Sequence, residues 1–189
     1  MRRISLAGLI GAGVLLGSST AGAQERGQFG LVTGYPTAAG VAWHATDRVA
    51  IKAEATFAIT SSELDSGPFL PERDLSSSSF GIAVSGLFYA GRTDNVSLYL
   101  SPRFGYGKMT SEIQGGGTLG SDLRNEASTL SFAGSFGAQY SPNRRFSVFG
   151  ELGLNYATQE LELPPLSSVG SESSAFGIRS AVGIVLYFN

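Results

Sequence analysis

Lys52, Glu54, Arg103, Glu151 and Arg179 each stand in a stretch of otherwise small, apolar or aromatic residues. Charged groups so placed move protons, hold a ligand, or neutralise one another away from water. His44 is the only histidine, so any proton shuttle of the serine-hydrolase kind must run through it. No Ser stands two residues beyond it, where the chain reads His44-Ala45-Thr46, and no other base is at hand. His44 is therefore read as a hydrogen-bonded residue, and no catalytic residue is assigned. Gly115-Gly116-Gly117 lacks the Lys and the strand–loop–helix setting of a phosphate loop, and reads as a loop tip.

The elements that must position the five charges are strands. In VAIKAEATFAIT (49–60) the larger apolar residues recur with period two, and Lys52 and Glu54 share the other face. Similar alternation runs through FGIAVSGLF from Phe80, VSLYLSPRFGYGK from Val96, TLSFAGSFGAQY from Thr129, FSVFGELGLNY from Phe146 and AFGIRSAVGIVLYF from Ala175. GQFGLVTGY and AAGVAWHA flank a turn at Pro36-Thr37, which brings the expected strands to eight. Tight turns at 46–48, 91–95 and 141–145 alternate with longer loops at 62–76, 114–127 and 161–173. An even number of strands with short turns at one end and long loops at the other is the plan of an all-β, transmembrane, eight-stranded antiparallel up-and-down barrel.

Aromatic spacing agrees with that plan. Trp43, Phe88, Tyr89, Tyr140, Phe146 and Phe188 lie near the tight turns, and Phe57, Phe80, Tyr106, Phe132, Tyr156 and Phe176 lie ten to twelve residues further along. Eleven tilted strand residues climb about 26 Å, close to the ~25 Å apolar band between the aromatic girdles of such barrels. The apolar face then meets lipid, through residues such as Val84, Leu98, Leu152 and Ile184, and the charged face lines the interior. An interior that narrow requires its charges to pair. Glu151 and Arg179, on adjacent strands at similar height, are expected to pair directly. Glu54 and Arg103 are expected to meet across the bore. Lys52 closes the set, with Tyr99, Gln139 and Asn155 as hydrogen-bonding neighbours.

Arg2 and Arg3, the apolar stretch ISLAGLIGAGVLLG and the small residues Ala21-Gly22-Ala23 read as a signal peptide over residues 1–23, cleaved before Gln24. Residues 24–189 are then one barrel domain, with eleven basic against fifteen acidic residues, a net charge of −4. That balance disfavours nucleic acid as a partner. The absence of Cys excludes a lipidated cysteine, disulfides and Cys-ligated zinc. The loop regions carry ten acids against two bases, Arg73 and Arg124. They read as a solvated surface, with divalent-cation bridging to lipopolysaccharide phosphates as the alternative.

The strand plan, the leader and the closing AVGIVLYFN resemble the small eight-stranded outer-membrane barrels of the OmpA transmembrane domain and OmpX-like group. Gly183, Leu186 and Phe188 match the spacing of that family's C-terminal assembly signal, although Asn189 follows the aromatic and Leu186 stands where an aromatic is common. The resemblance implies an outer-membrane location, both termini in the periplasm, and delivery by the barrel-assembly machinery. It implies contact with outer-membrane lipid and lipopolysaccharide, and a monomer without cofactor, metal or enzymatic activity. Lipid A deacylases of similar architecture carry a His–Ser pair on the outer surface, which His44 does not provide. The expected role is structural and surface-interactive. A narrow porin-like channel or conduit for small apolar molecules is the alternative, and a lipid A-modifying enzyme ranks last.

Overall fold

The computed structural model describes residues 26–36, 38–64, 73–115, 123–162 and 171–188. The expected leader and its cleavage point, Gly116, Gly117, Asp65, Glu72 and Asp122 lie outside the described residues. Eight strands form a closed ring: β1 (Phe29–Tyr35), β2 (Ala38–Thr46), β3 (Val49–Leu64), β4 (Arg73–Arg92), β5 (Val96–Gly115), β6 (Leu123–Asn143), β7 (Phe146–Glu162) and β8 (Ser171–Phe188). Each pairs antiparallel with its neighbour in sequence, and β1 closes the ring on β8 from Phe29↔Phe188 to Tyr35↔Val182. The ring is an all-β, up-and-down barrel.

Side chains alternate across its wall in the reverse of a water-soluble protein. On β4, Ala83, Ser85 and Tyr89 are buried while Ile82, Val84 and Phe88 are exposed. On β5, Ser97, Tyr99 and Ser101 are buried, and Leu98, Leu100 and Phe104 are exposed. Leu152 and Val182 continue the apolar exterior, with Ile184 half-buried in the same outward phase. Polar side chains inside and apolar ones outside suit a barrel whose solvent is hydrocarbon.

Of the girdle residues, Trp43, Phe57, Phe80, Phe88, Tyr106, Phe132, Tyr140, Tyr156, Phe176 and Phe188 are exposed, and Phe146 is half-buried. Phe132, Tyr156 and Phe176 stand on one rung across β6, β7 and β8. Phe29, not counted in the girdle from sequence, stacks on Trp43 with ring centroids 6.1 Å apart. Tyr89 departs from expectation and is buried inside. Phe88 and Tyr89 are consecutive, and a period of two must send them to opposite faces.

The strands also run further than the turn signals suggested. Positions 62–64, 73–76, 114–115, 123–127, 161–162 and 171–173, expected in loops, are strand. Backbone pairing sustains the ladder there whatever the side chains, as at Ser62↔Leu75 and Glu63↔Asp74. The β1–β2 hairpin does not follow. It turns at Pro36, after a cis Tyr35–Pro36 bond, and β2 pairs with β3 no further than Ala39↔Ala55. Above it, among the described residues, 56–64 of β3 and 171–181 of β8 each pair on one side only, with β4 and β7 respectively.

Candidate functional site

Alternation along β3 points Ala50, Lys52 and Glu54 inward, and the five charges converge on that wall. The Lys52 ammonium donates to Glu151 Oε1 at 2.8 Å and lies 3.7 Å from Glu54 Oε1. Arg179 Nη1 donates to Glu151 Oε2, also at 2.8 Å, and reaches Ser135 Oγ at 3.4 Å. Tyr99 Oη donates to Glu151 Oε1 at 3.1 Å. The Arg103 guanidinium pairs with the Glu54 carboxylate over β4, the strand between theirs, rather than across the bore as expected. Lys52 also sits 4.6 Å above the centre of the Phe149 ring, a cation–π contact. Glu151, with no exposed side-chain surface, is the hub that accepts from three donors.

A glycine makes room for one of those bonds. Tyr99 on β5, Gly137 on β6 and Glu151 on β7 share one rung. To reach Glu151 the Tyr99 ring must cross β6, two strand spacings of roughly 4.8 Å each. A Cβ on Gly137 would lie 2.3 Å from Tyr99 Cζ. Gly137→Ala is therefore expected to destabilise the barrel by about 1–3 kcal/mol through overpacking. Denaturant unfolding in detergent measures it, and a cost no larger than that of Gly150→Ala, whose Cβ would meet open space, refutes the packing role.

Gln139 and Asn155 do not join the charges. Gln139 accepts from Tyr89 Oη at 2.9 Å and donates to Tyr187 Oη at 2.9 Å. Tyr187 Oη lies 3.2 Å from His44 Nε2. This chain forms a second polar layer nearer the tight turns, because Gln139 lies one inward step from Gly137 toward that end. Asn155 is half-buried two inward steps to the loop side of Glu151, and no network atom bonds to it. The sequence reading missed Phe149, Ser135 and Tyr187. Strict phase would have found them, since they share parity with Glu151, Gln139 and Arg179 on their strands. Two apolar clusters flank the layer, Val32, Ala42, Phe149, Val185 and Tyr187 in one, Ala50, Leu87, Tyr89 and Tyr99 in the other. The interior near the tight turns is thus more aromatic than a uniformly polar lumen.

His44 is fully buried and stacks on Tyr89 at 5.7 Å. Its hydrogen-bond partner is a tyrosine hydroxyl, and it faces the bore rather than the outer surface. Gly183, expected in the assembly signal, faces the Phe149 ring, which a Cβ would approach to 2.6 Å. Leu186 and Phe188 point outward. Outside, Lys108 pairs with Glu126 at 2.6 Å. The register sets Glu160 opposite Glu172 and Glu126 opposite Glu162. Among the described residues no three His, Cys, Asp or Glu side chains gather as a metal site would require.

No protein-family model matches the chain, and no curated protein matches its sequence. Solved structures match it in shape. A major outer membrane protein from Thermus thermophilus aligns with a TM-score of 0.52 at 12% identity, over 85% of this chain and 98% of that one. The chain has the fold of a small outer-membrane β-barrel. Looser matches to the barrel are Ail, the attachment invasion locus protein of Yersinia pestis (TM-score 0.48, 14% identity, 86% of this chain and 99% of that one), and Acinetobacter baumannii CarO (TM-score 0.44, 12% identity, 86% and 98%). At such identities the likeness extends to the fold of the barrel and not to its residues.

Proposed function

We infer that the chain is an outer-membrane protein whose bore is closed by the five-charge layer, and whose role is structural and surface-interactive. The observation that carries this is Glu151, which ties Lys52, Arg179 and Tyr99, from β3, β8 and β5, to one carboxylate. Side chains reaching the hub from three other strands leave the bore to protein rather than to solute. Ion pairs already satisfied offer no free acid or base, which argues against catalysis at this layer. Outer-membrane lipid and lipopolysaccharide are the surroundings the apolar exterior suits, the barrel-assembly machinery its route there, and a monomer its state.

A purified chain in a planar bilayer is expected to show no large steady conductance. A stable channel, unchanged on substituting Glu54, Arg103, Glu151 or Arg179, would show that the layer does not close the bore. The conduit reading would then take first place. A cavity of about 190 Å³ on the loop side of the layer, lined by Glu54, Thr56, Gly81, Arg103, Gly105 and Ser131, is the feature that favours it.

A further inference from the structure

The short β1–β2 hairpin leaves a notch in the barrel wall. Its sides are the free edges of β3 (56–64) and β8 (171–181), and its base is the hairpin turn. Among the described residues no backbone hydrogen bond crosses it. Its lower part lies within the apolar band, because the hairpin stops at Val182 whereas the aromatic rung is at Phe176. Edge N–H and C=O groups at that depth need polar partners, which hydrocarbon does not supply.

The rim is apolar. The five most exposed large apolar side chains among the described residues all frame the notch: Ile178 (81%), Tyr35 (75%), Phe176 (70%), Ile59 (68%) and Phe57 (66%). The inside is cationic. The charge layer holds three bases and two acids, and its best exposed side chains are Arg179 (18%) and Arg103 (15%), against 6% or less for Lys52, Glu54 and Glu151. Arg179 stands on the inner side of the notch's β8 edge, one residue from Ile178. Thr56, on the β3 edge, also lines the cavity that Arg103 borders.

We propose that the notch is a lateral binding site for a single-chain anionic amphiphile, a long-chain carboxylate. Its head sits by the guanidinium groups of Arg103 and Arg179. Its tail leaves between β3 and β8 along Phe57, Ile59, Phe176 and Ile178. A carboxylate meets the net positive charge of the layer, its oxygens accept from edge N–H groups, and the rim supplies an apolar exit. A neutral lipid would meet only the rim.

This site rests on the barrel reading, so insertion is checked first, by heat-modifiable migration of the full chain refolded in detergent. Palmitate and hexadecanol are then titrated against it and the bound state read by native mass spectrometry. Palmitate is expected to bind one to one and at least tenfold more tightly than hexadecanol. Thr56→Trp, which fills the inner lip, is expected to weaken palmitate at least tenfold and leave migration unchanged. Ile178→Ser, on the rim, is expected to weaken both ligands alike. Equal binding of acid and alcohol, or no loss with Thr56→Trp, overturns the site and leaves the barrel standing. A chain that does not insert overturns both. A dimer that Thr60→Pro on the β3 edge dissolves would make a second copy the occupant, and would also overturn the proposal.

Discussion

Glu151→Ala is expected to lower the unfolding free energy by about 3–5 kcal/mol, the cost of breaking a buried ion pair from one side. The loss falls unequally on its three donors. Arg179 keeps Ser135 Oγ at 3.4 Å and an 18% exposed side chain, so water can recover part of its solvation. Lys52 has a 3% exposed side chain and would retain only Glu54, 3.7 Å away, and the face of the Phe149 ring. Tyr99 would lose the acceptor it crosses β6 to reach. Most of the cost therefore runs through Lys52, and Lys52→Met placed on Glu151→Ala should recover part of it. Glu151→Gln, which keeps one carbonyl acceptor, should cost less than Glu151→Ala. Urea titration of the refolded barrel measures all three. A loss no greater than that from Glu160→Ala, at an exposed position, would remove the hub from the account.

Leu152→Arg, one residue along, tests the other face of the same strand. Leu152 is exposed between Phe136 on β6 and Ser180 on β8, near mid-height of β7. In a bilayer an Arg there should cost about 2–4 kcal/mol, falling toward zero near the interfaces. Ser174→Arg, above the Phe176 rung, should cost far less. Unfolding in phospholipid vesicles compares them. Equal costs would mean that the strand phase is wrong, since a slip of one residue exchanges lipid face for bore.

The wall of the barrel was legible because its signal is periodic and local. Lys52 and Glu54 on one face, and turns such as Asp47, Asp94 and Asn143, need no knowledge of distant residues. The height of the strands was not legible. Ser62 and Ser76 read as loop by composition, yet they pair with Leu75 and Ser61 through backbone groups that are indifferent to the side chain. Ion-pair partners followed from phase and narrowness: Glu151 with Arg179, Glu54 with Arg103. The Lys52–Glu151 bond and the diversion of Gln139 to Tyr89 and Tyr187 depend on how far one wall stands from another. Adjacent sequence carries no record of that distance. The notch escaped for a related reason. It is a difference in length between a hairpin ending at Pro36 and neighbours whose extent is set by their own partners.

The ring closes through seven register pairs between β1 and β8, where β3 and β4 share sixteen. Its closing partners are also the most distant in sequence, Phe29 with Phe188. Loop-closure entropy makes such a junction slow to form, and few bonds then hold it. During assembly the six other strands can zip in order while both edges of the growing sheet stay open. Those edges are templates for mispairing until the last strand arrives. In the finished protein β1 is held by two short seams, six register pairs to β2 and seven to β8, and only the second has no turn to tie its strands together.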